Sequence, residues 1–491
     1  MQNAQSFKKL AFSSVRKGLV GAGLALALVG CSDSDSDSGG NGGGGGFAPS
    51  IQIAAGGKYV VALKYGGVLY ATGDNSNGQL GVGHASTRYY PTLVSSLLGV
   101  ASDLVTTISG TNAYVAAGDS HTLVVSATGD LYSAGDNHFG QLGLGNSWEY
   151  NEYNFTKATT FDATTDSTGV FNPVIYNPPV FKKAAAGLNH SVAIDSQGGL
   201  WVAGSNAYGQ LGVVNTGVGS NGIRPVFTKL AITTSAYFSE ANGTAATPAA
   251  NFQAIAAGDN HTLVVANGQI WGAGAYSSGQ LGFSTVGGSS NQGGKFVKAL
   301  DFNDTTNGFD AGSFIVSGTT PIQAVAAGEA HSVALDSQGN IWTTGDNSNG
   351  QLGLGAGLTP NRFTKVSLFN GGVDYKNAPK PVFKAIAAGK NHTVAVDVNG
   401  SLWTVGANES AQLGLNDGDE DRYIFTKVTF NGQDLPIFVD VAAGDDYTVA
   451  IDASGRAWVA GSNAHGQLGF GKYSDTAGYY DINLEFTPSP L

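Results

Sequence analysis

Five histidines recur at one place in a repeating sequence: His121, His190, His261, His331 and His392, with Tyr59 and Tyr447 standing there in the outer repeats. Imidazoles ligate metals or move protons when several groups converge within a few ångströms. One histidine per repeat gives no such convergence, because the repeats stand apart from one another. A buried hydrogen-bonding role that Tyr can also fill accounts for the series better. Trp201, Trp271, Trp342, Trp403 and Trp458 form a second series, with Tyr70 and Tyr132 as substitutes. Side chains of that size at one strand position read as packing between repeats.

Two Asp-Asn-Ser-Asn-Gly segments, at Asp74 and Asp346, partly resemble a calcium loop. They lack the downstream acidic ligand at the spacing an EF-hand needs, and Ser205, Ala275 and Ala407 replace the Asp elsewhere. They are read as turns. Asp417, Asp419, Glu420 and Asp421 make the one dense acidic cluster of the body, either a calcium loop or a solvated one. No Gly-x-Ser-x-Gly elbow, Walker loop, zinc signature or dinucleotide fingerprint is present. The expectation is no catalytic residue, no metal and no cofactor.

The elements that hold these residues follow from self-similarity. Ala-Ala-Gly recurs with its glycine at Gly56, Gly118, Gly187, Gly258, Gly328, Gly389 and Gly444. Gly-Gln-Leu-Gly begins at Gly78, Gly140, Gly209, Gly279, Gly350 and Gly466, and a further copy reads Ala411-Gln412-Leu413-Gly414. The fifth repeat shows the order. An apolar strand ends at Gly328, an alternating strand runs from His331 to Asp336, and Ser337-Gln338-Gly339-Asn340 is a hairpin turn. Ile341 to Gly345 is a third strand and Arg362 to Val366 a fourth. Four strands per repeat, seven times, predict an all-β, seven-bladed β-propeller with four-stranded antiparallel blades.

The segments Gly389-Lys390-Asn391-His392-Thr393 and Gly400 to Gly406, and the Gly-Gln-Leu-Gly motif that follows them in the other repeats, resemble the regulator-of-chromosome-condensation propeller family. The resemblance runs from about 51 to 487. It implies a circular seven-bladed ring around a central channel. Ile51-Gln52-Ile53 and Leu484-Glu485-Phe486 match a first and a fourth strand, so the two ends of the chain are expected to close the ring.

The amino-terminal segment sets the expected location. Lys8, Lys9, Arg16 and Lys17 precede an apolar run from Leu19 to Val29, too short to span a bilayer, and read as a signal peptide over 1–30. Leu28-Val29-Gly30-Cys31 resembles the lipobox of bacterial lipoproteins, which implies lipidation (diacylglycerol and palmitate) at Cys31. Cys31 is the single cysteine, so no disulfide forms within the chain. Residues 31–47 read as the lipidated cysteine and a Ser/Asp/Gly-rich tether, and 48–491 as the propeller. Ser32 after the cysteine leans toward the outer membrane, periplasmic or surface-exposed. Without the first 30 residues, 20 basic residues face 36 acidic ones. Such a body does not suit nucleic acid, where phosphates need clustered Lys and Arg.

Function is then expected in what varies. The loops after Gly-Gln-Leu-Gly carry Arg88, Tyr89 and Tyr90 in the first repeat, Trp148, Tyr150 and Tyr153 in the second, and Tyr473, Tyr479 and Tyr480 in the last. Tyr, Trp and Arg anchor interfaces. The reading is a non-enzymatic, membrane-anchored scaffold that recognises a protein or glycan partner of the cell envelope through loops on one face. The alternatives are a guanine-nucleotide-exchange regulator, by family analogy, and a hydrolase or lyase acting on polysaccharide.

Overall fold

The computed structural model describes residues 51–64, 68–94, 113–145, 150–162, 178–213, 222–230, 238–239, 251–283, 294–299, 302–303, 314–315, 321–370, 379–416, 418–430, 433–434 and 436–471. Cys31, the tether, Trp148, Asp417, the tyrosines beyond 472 and the expected closing strand at 484–486 lie outside these residues.

Blade 6 shows how a repeat folds. Its strands are Phe383–Ala388, His392–Asp397, Leu402–Gly406 and Arg422–Lys427, each antiparallel to the one before. Gly400, at φ +83°, turns the hairpin between the second and third strands. The second strand is buried on both sides along its whole length, because each sheet is sandwiched between its neighbours. Trp403 of blade 6 shares one buried cluster with Leu335, Ile341 and Leu352 of blade 5. The tryptophan series is therefore inter-blade packing, as its spacing implied.

Alternation of strand direction gives the ring two faces. The first strand ends, and the second begins, on what we term the upper face, where the Ala-Ala-Gly and Gly-Gln-Leu-Gly turns both lie. The hairpins between second and third strands, and the connections to the next blade, lie on the lower face. The chain enters at Ile51, on the lower face of blade 1.

Three blades carry one strand more than the repeat predicts, and blade 5 carries two, Phe302–Asn303 and Phe314–Ile315. Phe161–Asp162 leaves blade 2 and pairs in parallel with Arg224–Lys229 of blade 3. Phe238–Ser239, Phe302–Asn303 and Phe369–Asn370 do the same to blades 4, 5 and 6. Phe238 also stands edge-on to Trp271, with ring centroids 5.7 Å apart. These short strands lace one blade to the next at the rim.

The histidines do the same work nearer the axis. His190 Nε2 donates to Thr262 Oγ1 of the next blade at 2.9 Å, and that hydroxyl donates back to the Gln210 carbonyl at 2.6 Å. His121, His261, His331 and His392 repeat the relay onto Ser191, Ser332, Thr393 and Thr448. The hydroxyl proton is already spent on the glutamine carbonyl, so the imidazole must be the donor, and Nδ1 is bare. No polar partner reaches any of the five Nδ1 atoms, which sit against glycine. A Cβ on Gly187 would lie 2.6 Å from His190 Nδ1 and 2.4 Å from the Gly258 carbonyl oxygen. The tight fit explains why glycine follows each Ala-Ala. Tyr59 and Tyr447 donate instead to carbonyls of the next blade, Tyr59 to His121 O at 2.6 Å and Tyr447 to Gly56 O at 2.9 Å. The second contact joins blade 7 to blade 1, so the described ring closes there through side-chain and backbone hydrogen bonds and packing.

Burial drives the imidazoles down to about 3 at His190, His261 and His331 and about 4 at His121 and His392, all neutral at pH 7. An unfolded histidine takes up a proton near pH 6.5, whereas the folded one refuses it. Each histidine therefore contributes fully above 6.5 and loses its contribution as the pH falls toward the folded value. We expect His261→Tyr, which copies blades 1 and 7, to remove one such proton. Relative to this variant, wild type should lose about 1.4 kcal/mol of unfolding free energy per pH unit below 6.5. Denaturant titrations of both proteins between pH 7 and 4 check this. A pH-independent difference would contradict it.

Candidate functional site

The residues that follow each Ala-Ala-Gly turn come together on the upper face, at the mouth of the central channel. In blade order they are Gly57, Asp119, Leu188, Asp259, Glu329, Lys390 and Asp445, around a cavity of about 120 Å³. Backbone bonds hold the turns in a ring, such as Gly57 N to Gly118 O at 3.2 Å and Asp445 N to Gly57 O at 3.1 Å. Four carboxylates and one ammonium are thus fixed at one opening by the scaffold itself.

Their electrostatics follow from this crowding. Burial, then the charges of Glu329, Asp445 and Asp119, raise Asp259 to about 6. Burial and Asp119 raise Asp445 to about 6. Burial works against the Lys390 ammonium, yet Glu329, Asp445, Asp259 and Asp446 still carry its pKa upward. The mouth therefore holds more negative charge than Lys390, with Lys58 beside it, balances, and it favours a positive group from outside.

The candidate contact residues lie on the same face, at the start of the outermost strands, but they differ in kind. Tyr90 and Tyr150 stand 63% and 66% exposed. Tyr153 and Tyr89 cover seams. A Cβ on Gly78 would meet the Tyr153 ring at 2.7 Å, and one on Gly466 would meet Tyr89 Cα at 2.5 Å. Pro225, Asn361 and Tyr423 take the same place in other blades, over Gly140, Gly279 and Gly350. Tyr153 thus belongs to a series after all, which the uneven loop lengths concealed. Arg88 is half-buried and its guanidinium contacts His84. Sequence reasoning missed Tyr208, 55% exposed, and the half-exposed Phe139 and Tyr423, which extend the aromatic surface. It also missed the acidic mouth. The signal was present, since Asp, Glu or Lys follows Ala-Ala-Gly in five of the seven repeats.

The Asp-Asn-Ser-Asn-Gly segments are turns. Asp74 Oδ2 accepts from Gln79 Nε2 at 3.0 Å and Asp346 Oδ2 from Gln351 Nε2 at 2.8 Å, so the Gln of Gly-Gln-Leu-Gly closes its own loop. In the acidic cluster, Asp421 accepts from Asn408 N and from Asn349 Nδ2 of the neighbouring blade, which fastens a seam. Among the described residues no group of three or more His, Cys, Asp or Glu side chains could hold a metal ion. The tryptophans acquire a partner that sequence reasoning overlooked. Trp201, Trp342, Trp403 and Trp458 donate to Asp195, Asp336, Asp397 and Asp452 at 2.9–3.0 Å. Trp271 has no such acid, because Ala266 and Asn267 turn its hairpin, and its indole NH is unpaired.

Removing a crowded carboxylate should relieve the mouth. A carboxyl raised in the folded state costs stability that accrues as the pH rises above its unfolded value, about 4, and is complete above its folded value. Asp259→Asn is expected to stabilise the protein at pH 7, by about 1–3 kcal/mol, with the gain gone below pH 4. Thermal unfolding at both pH values tests this.

A family model described as RCC1-like domain matches residues 185–489, and RCC1 repeats match 51–79, 113–141 and 66–125. The chain is 26% identical over 435 residues to the Ultraviolet-B receptor UVR8 of Arabidopsis thaliana, covering 86% of this chain and 79% of that protein. It is 24% identical to the Regulator of chromosome condensation of Mus musculus, covering 83% of each. Human WBSCR16 and Prp20p of Saccharomyces cerevisiae share its fold. Each has a TM-score of 0.59, at 22% and 19% identity, over 82% of this chain and 86% and 82% of theirs.

Proposed function

The chain belongs to the RCC1-like domain family, and from that premise we propose that it is a non-enzymatic binding propeller of the cell envelope, tethered through a lipid on Cys31. Its upper face takes a partner protein (or glycan) that presents positive charge. One observation carries the reading. The recurring polar residues are spent on seams, whereas Asp119, Asp259, Glu329 and Asp445 converge at an open mouth, and Tyr90, Tyr150 and Tyr208 stand exposed farther out on the same face. Exposed tyrosines supply rigid contact area, and the carboxylates supply charge selection. The similar proteins are by name a receptor and a regulator, which supports a recognition role. Guanine-nucleotide exchange is not favoured for a chain whose amino-terminal segment reads as an export signal.

Asp259 and Asp445, carboxyls raised toward neutrality, favour one second reading, general-acid cleavage of an envelope polysaccharide.

The test is capture from envelope extracts by the full chain, beside Tyr90→Ala/Tyr150→Ala and Asp259→Asn/Asp445→Asn. We expect one specific partner, weakened about tenfold by each double variant and by 0.5 M salt. Capture indifferent to both variants would overturn the site. Release of sugar products, lost in the Asn variant, would establish the second reading instead.

A further inference from the structure

The lower face carries a patch unlike anything on the upper one. Val382, Val398 and Ile437 are 45%, 55% and 61% exposed. They are continuous across blades 6 and 7. Val398 N donates to the Val382 carbonyl at 2.8 Å, and the Ile437 side chain lies against the Gly400 turn. Lys380 and Lys384 flank Val382 on one side, and Arg456 lies beyond Ile437 in the hairpin of blade 7. The neighbouring carboxylates, Asp397 and Asp452, are turned inward onto the indoles of Trp403 and Trp458. The patch thus offers apolar side chains fringed by cations.

The chain enters the ring beside this patch. Ile51 packs with Val439 and Ile451 of blade 7, two residues from Ile437 in sequence. Nineteen residues separate Cys31 from Ile51, so the span between the two is at most about 70 Å. A lipid on Cys31 would therefore keep the lower edge of blades 6, 7 and 1 within that span of the bilayer. Basic residues beside half-exposed aliphatic ones are what an anionic lipid surface attracts.

We propose that the patch formed by Val382, Val398, Ile437, Lys380, Lys384 and Arg456 rests on an anionic lipid surface and turns the acidic mouth away from it. The proposal deepens the tethered-propeller reading and relies on it for proximity. The patch sets the orientation, and the lipid sets only the distance.

The full chain is bound to preformed vesicles of phosphatidylglycerol and phosphatidylcholine, and separately to phosphatidylcholine alone. Its lysines are acylated with a reagent that does not cross the bilayer, and each site is read by mass spectrometry. On the anionic vesicles, Lys380 and Lys384 should react about threefold more slowly or less, while Lys58 and Lys390 on the upper face, and Lys182 across the ring, should be unchanged. Val398→Ser/Ile437→Ser should abolish that protection without releasing the protein from the vesicles. Protection of Lys58 and Lys390, or equal labelling of both faces, overturns the proposal. So does protection that persists undiminished on phosphatidylcholine or in the double variant, since a bound protein or a second copy would then cover the patch. The mass of the peptide containing Cys31 reports lipidation on its own, so an absent anchor and a wrong face are told apart.

Discussion

Seven sheets can stand in a ring only if the seams between them exclude water, and every polar group trapped there must then find a partner. That constraint shapes this molecule more than any other. The relay from His Nε2 to the next blade's Ser or Thr hydroxyl, and on to the Gln carbonyl, satisfies donors and acceptors of two blades together. It demands a neutral imidazole with one particular tautomer. It also demands a glycine opposite the ring, which is why Ala-Ala-Gly precedes every one of the five histidines, and Tyr59 and Tyr447 as well. The five bare Nδ1 atoms are the cost of the arrangement, tolerable because a neutral pyridine-type nitrogen loses less on burial than a charge would.

Much of this was legible in the sequence. Seven-fold recurrence specified the propeller, and the one-per-blade spacing of His and Trp excluded convergent chemistry at those residues. The Tyr substitutions at 59 and 447 pointed to hydrogen bonding, and the structure shows both tyrosines donating to carbonyls of the next blade. Other features escaped because they are not periodic in the chain or are periodic in an unexpected way. Phe161, Phe238 and Phe369 follow connections of different lengths, so their shared role as rim strands emerges only when each pairs with the next blade. Tyr153 follows a longer loop than its counterparts, yet it covers Gly78 as Tyr423 covers Gly350. The acidic mouth was overlooked for the opposite reason. Its residues sit beside a strongly repeated motif, and their variability looked like noise until the ring brought them face to face.

The division of labour between scaffold and surface follows from these facts. Residues that recur meet their partners across seams and are spent there. Residues that vary beside the seams, Asp119, Asp259, Glu329 and Asp445, share one opening and cannot relieve one another's charge. The two faces differ accordingly. The upper one is acidic and aromatic, and the lower one carries an apolar patch fringed by cations where the chain enters.

The central claim, that the repeated histidines are neutral seam donors with no role in chemistry, is tested most directly by nitrogen-15 correlation spectra of the imidazole rings. All five should show the Nε2–H tautomer, with Nδ1 unprotonated, and hold it unchanged from pH 7.5 to 5. A ring that titrates within that range, carries its proton on Nδ1, or shifts on addition of a divalent metal would contradict the account.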